Sequence, residues 1–143
     1  MALRNGVRDV SAGARRRNRV IAVVGAVVAA VLIWVVGEPL LGYDLILEPP
    51  GQQAIDLGAS AIVTVALLVG LLGWAFLAVL ERVLAKGRLV WTVVALVVLA
   101  ASFLPLFSVD APSGSKVTLA LVHLAVAGVL IPVFWATSKQ VRQ

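Results

Sequence analysis

Four apolar stretches, residues 20–37, 58–80, 89–108 and 117–137, run without one Asp, Glu, Lys or Arg in their interiors. At 1.5 Å per residue, each is long enough to cross a hydrocarbon core of roughly 30 Å. The third opens with Val90-Trp91-Thr92-Val93-Val94, a β-branched run that would favour a strand in water. In lipid a segment must satisfy its own backbone hydrogen bonds, so a run of this length becomes a helix. A transmembrane β-barrel is excluded, because the stretches do not alternate apolar and polar residues. Composition agrees: 62% of the 143 residues are hydrophobic and 13% are charged, against roughly 45–50% and about 25% in soluble domains. A soluble chain of this length has too small a core to hide that much apolar surface. The expected fold is therefore all-α, an integral membrane four-helix bundle with antiparallel up-down connections.

The loops orient the bundle. Arg4, Arg8, Arg15, Arg16, Arg17 and Arg19 precede the first stretch, Arg82, Lys86 and Arg88 join the second and third, and Lys139 and Arg142 follow the fourth. Eleven of the twelve basic residues thus fall on one side, while Glu38, Asp44, Glu48, Asp56 and Asp110 gather with Lys116 on the other. The positive-inside rule makes the basic side cytoplasmic, with both termini in. Trp74, Trp91 and Trp135 fall toward that side and Trp34 toward the other, depths at which amphipathic indoles prefer to lie. The implied organisation is a basic tail at 1–19, one transmembrane domain at 20–138 with external loops at 38–57 and 109–116, and a short tail at 139–143. The first stretch is too long for a signal peptide and ends at Val36-Gly37-Glu38-Pro39, a poor cleavage site, so it reads as an uncleaved anchor.

Local signals place the connections. Gly87 is suited to a left-handed turn ending the second helix, and Ser113 or Ser115 to the N-cap of the fourth. Asp56 suits the positive end of the second helix dipole. Pro105 and Pro132 should end or kink helices three and four. Leu45-Ile46-Leu47 is too apolar to stand in water and should cap the bundle or lie at the interface. Gly25 with Ala29, Ala66 with Gly70, and Ala120 with His123 and Ala127 offer small faces for close helix approach, within the bundle or between copies.

Chemistry is sparse. There is no cysteine and one histidine, so no metal ligand set, cofactor motif or nucleophile-and-base pair assembles, and a non-enzymatic protein is expected. His123 lies about 9 Å inside the outer end of the fourth helix. Thr64 and Ser102 reach similar depths, with Trp34 slightly above, so the four form a candidate polar layer. That layer reads either as interhelical hydrogen bonding or as an outward-opening pocket for a small or lipidic molecule. The arginines at 15, 16, 17 and 19 sit where anionic lipid would attract them. The tail holds no aromatic residue for base stacking, which argues against nucleic acid.

Pro39-Leu40-Leu41-Gly42-Tyr43-Asp44-Leu45, Gly70-Leu71-Leu72-Gly73-Trp74, Leu80-Glu81-Arg82, Arg88-Leu89-Val90-Trp91-Thr92, His123-Leu124 and Val129-Leu130-Ile131-Pro132 together resemble a family of uncharacterised actinobacterial four-helix membrane proteins. The resemblance implies four helices in a bacterial plasma membrane, and it carries over no activity. The expected role is association, with itself or as accessory to a larger membrane complex. The alternative is the binding or carriage of a small or lipidic molecule at the outer pocket.

Overall fold

The computed structural model describes residues 11–138; Arg4, Arg8, Lys139 and Arg142 of the two tails lie outside the described residues. The elements run α1 (Ala12–Val35), a π-helical turn (Val36–Leu40), β1 (Ile46–Leu47), β2 (Ile55–Asp56), α2 (Ala59–Val83), α3 (Gly87–Ser102), α4 (Leu104–Ser108) and α5 (Ser113–Thr137). Counting continuations, four helices among the described residues are long and apolar enough to cross a membrane: Ala12–Leu40, Ala59–Val83, Gly87–Ser108 and Ser113–Thr137.

The helix ends correct several expectations. α1 begins inside the segment read as a tail, because the Ser11 hydroxyl accepts from the Ala14 amide at 3.2 Å and alanine and arginine favour helix. At its far end Pro39 has no N–H for the carbonyl four residues back. The turn widens there, and Leu41 N–H donates to the Val36 carbonyl at 3.1 Å. Gly87 opens α3 in place of a left-handed close to α2, and only Gly42 and Gly51 have positive φ among the described residues. What Gly87 supplies is space: a Cβ there would stand 2.5 Å from the Leu80 carbonyl oxygen. Neither serine caps α5. Pro112 is its N-cap, and the buried Ser115 hydroxyl donates to the Asp44 carbonyl at 2.8 Å, tying the first loop to α5. Asp56 lies in a strand. α3 stops at Ser102, and Pro105 lies in the first turn of the short α4, where its missing N–H costs nothing.

The first loop is a small hairpin, with Ile46 opposite Asp56 and Leu47 opposite Ile55. Its turn places Gly51 at φ 72°, after Pro50. Glu48 pairs through its backbone with Asp110, joining the two loops. Leu45 is 0% exposed beneath them, so the apolar triplet caps the bundle through this residue, whereas Ile46 stays exposed.

α1 packs along α5 and α2, and α3 leans on α2 and α5. One core cluster joins Ala22, Val23 and Ala26 of α1 to Leu77, Leu80, Trp91, Leu130 and Phe134. A second joins Ala30, Ile62, Ala66 and Val122. Small residues sit at these contacts: a Cβ on Gly70 would meet Val23 at 3.0 Å and one on Gly25 would meet Val129 at 3.6 Å. Close approach of this kind replaces the hydrophobic driving force that lipid removes. α3 buries only Gly87 and Trp91. Trp91 thus turns into the bundle: its ring packs on Phe134 at 5.3 Å and its Nε1 donates to the Gly73 carbonyl at 2.8 Å.

Candidate functional site

Between α2, α3 and α5 the helices part around a cavity of about 670 Å³, partly open to the outside of the bundle. Small side chains on the facing helices, among them Ala61, Gly73, Ala95 and Ala127, leave this space unfilled. Along α2 the lining runs from Ala61 to Phe76, about 22 Å at 1.5 Å per residue. The cavity is thus a slot lying along the helices. Its volume falls within the range of about 300–1,000 Å³ usual for ligand sites. No lining residue carries a formal charge, and Trp91 has its polar atom bonded to Gly73.

Two further polar side chains reach the slot, Ser102 from the end of α3 and His123 from the first half of α5. The His123 Nδ1 lies 2.6 Å from the Leu119 carbonyl, one turn back. The Ser102 hydroxyl donates to the Leu99 carbonyl at 2.6 Å. The Phe103 ring stands 5.9 Å from the imidazole, between centroids, at the break between α3 and α4.

The expected layer is assembled only in part. His123 and Ser102 share the slot, but no hydrogen bond joins them. Thr64 is exposed on α2 and does not line it. It lies two residues, or about 200° of helix, from both Ile62 and Ala66, which face α1 and α5. Trp34 turns toward the loops, where its Nε1 donates to Glu38 Oε2 at 2.9 Å and the ring packs beside the second core cluster. The same carboxylate oxygen accepts from the Leu45 amide at 3.4 Å.

A second polar centre lies at the opposite end. Arg19, read among the lipid-facing arginines, points into the bundle and forks onto Glu81 with bonds of 2.7 and 3.2 Å. Its Nε donates to the Thr137 hydroxyl at 3.2 Å and Nη2 to the Thr137 carbonyl at 3.0 Å. The two charged side chains keep 6% and 7% of their surface exposed. A charge this deep is tolerated only when paired and hydrogen-bonded, and the fork supplies both. One residue thereby ties α1, α2 and α5 together. Nearby, the Arg88 guanidinium lies 4.0 Å from the Trp135 ring centroid. The visible signal for the fork was Glu81 itself, a solitary acid beside Arg82, Lys86 and Arg88.

Four long apolar helices, a charge-free slot between three of them and a buried ion pair tying α1 to α2 and α5 have the build of a small multi-pass membrane protein. The chain belongs to the family of unknown function DUF6069, whose model matches residues 10–140. Neither a curated protein nor a solved structure matches it.

Proposed function

We propose that this protein is a non-enzymatic component of a bacterial plasma membrane that holds a lipidic molecule in the slot between α2, α3 and α5. The observation that carries this reading is the slot: elongated, uncharged, and polar only where His123 and Ser102 reach it and at the bonded Trp91 indole. An apolar chain fits such a lining and leaves no buried charge unpaired. The reading by association, with a second copy or a partner membrane protein, has less support. Gly25, Ala66 and Gly70, its small-residue faces, already pack inside the bundle. The proposed orientation places the basic end in the cytoplasm, with Arg15, Arg16 and Arg17 toward anionic lipid.

The test is native mass spectrometry of the protein released from mild detergent, comparing wild type with Ala127→Trp, which fills the slot. Retention of a lipid-sized adduct by wild type, lost in the variant at unchanged helix content, supports the reading. Equal adducts on both proteins would overturn it.

A further inference from the structure

His123 and Ser102 share a property that narrows what the slot holds. A backbone carbonyl only accepts hydrogen bonds, so the Nδ1 of His123, 2.6 Å from the Leu119 carbonyl, carries the ring proton. In the neutral imidazole Nε2 is then a bare acceptor. No described residue takes up Nε2. No buried side-chain nitrogen or oxygen among the described residues lacks a partner, so Nε2 lies on accessible surface. Ser102 repeats the logic. Its single hydroxyl proton goes to the Leu99 carbonyl at 2.6 Å, which leaves only lone pairs to offer. The third polar atom of the lining, the Trp91 Nε1–H, already donates to Gly73. His123 and Ser102, both lining the slot, thus have acceptor capacity to offer and no free donor.

Resting on the lipid-binding reading above, we propose that the slot selects a long-chain molecule whose polar end donates a hydrogen bond, a lipidic alcohol, over one ending in a ketone or ester. Position sets the pose. Ser102 ends α3 and His123 lies early in α5, whereas the apolar lining continues to Phe76, Trp91 and Ile131. The hydroxyl end of the ligand sits between Ser102 and His123, and the chain runs toward Trp91. A carbonyl oxygen in the same place sets lone pair against lone pair, and desolvates both protein acceptors without satisfying them. Sites built to meet a hydroxyl reject analogues that lack it for this reason.

The test titrates the full-length protein in mild detergent with hexadecanol, and separately with a methyl ketone and a methyl ester of matched chain length, reading the rise in unfolding temperature. The alcohol should bind at least about tenfold more tightly than either carbonyl compound. His123→Phe, which keeps an aromatic ring and removes the acceptor, should abolish that preference while leaving the chain's own affinity. Should His123→Phe fail to fold, Ser102→Ala tests the same preference through the second acceptor. Equal or tighter binding of the carbonyl compounds to wild type overturns the donor selection and leaves the slot a lipid site. Binding of none of the three removes the lipid-binding reading itself. A preference unchanged in both variants assigns it to some other part of the protein and overturns the inference.

Discussion

Arg19 and Glu81, 62 residues apart in the chain, meet in a two-pronged ion pair with the shorter bond at 2.7 Å. Glu81→Gln keeps the shape of the side chain and leaves the guanidinium without its counter-charge. Breaking a buried pair from one side costs about 3–5 kcal/mol. The variant should unfold at markedly lower denaturant in detergent, whereas the double variant Arg19→Met with Glu81→Leu should recover most of the loss. A single variant as stable as wild type would show that the pair is solvated.

Gly37 and Thr118 make the tightest fit between the π-helical turn and α5, since a Cβ on Gly37 would overlap the threonine side chain. Thr118 is held in place by donating to the Gly114 carbonyl at 2.9 Å. Gly37→Ala should destabilise by about 1–3 kcal/mol, as overpacking does. Adding Thr118→Ala should restore stability, and thermal melts of the two variants separate crowding from a loss of helix geometry.

Trp91 carries the docking of α3, whose other side chains face the slot or the outside. Trp91→Phe removes the 2.8 Å bond to Gly73 while keeping a ring against Phe134. The net loss should be about 1 kcal/mol. It should appear as faster amide exchange confined to α3, with α1 and α5 unchanged.

The proposed orientation has a clean assay because the chain has no cysteine. Ala85→Cys lies in the turn between α2 and α3, and Ser113→Cys at the start of α5; both residues are exposed. In intact cells a membrane-impermeant maleimide should label the second and spare the first. The reverse pattern would invert the assignment made from the arginines.

The four helices were legible because lipid leaves an apolar run of some twenty residues one way to satisfy its backbone. Their ends were less so. Ala12-Gly13-Ala14 and the arginines after it continue a helix that charge alone marks as a tail, and at the other end a π-helical turn carries the helix past residue 37 through Pro39. The candidate layer failed at Thr64 for a geometric reason. Counting residues from a helix end gives depth, but the direction a side chain faces needs the packing partners, which lie elsewhere in the chain. Arg19 was misplaced by the same lack, since its sign matched its neighbours and its partner was far along the sequence. His123 and Ser102 do line one cavity, and that cavity arises from alanines and a glycine whose absence of bulk no motif records.

From Arg19 to Glu38 the first helix advances 19 residues, about 28 Å. Arg19 is fastened to α2 and α5, and Glu38 to Trp34 and the Leu45 amide. The molecule therefore carries a gauge of fixed length, close to the roughly 30 Å of a typical hydrocarbon layer. A thicker bilayer has to thin around it, and a thinner one has to tilt the whole bundle, because neither fastening slides along the helix. A bilayer of another thickness would have to adapt to such a gauge, and the gauge would not adapt to it.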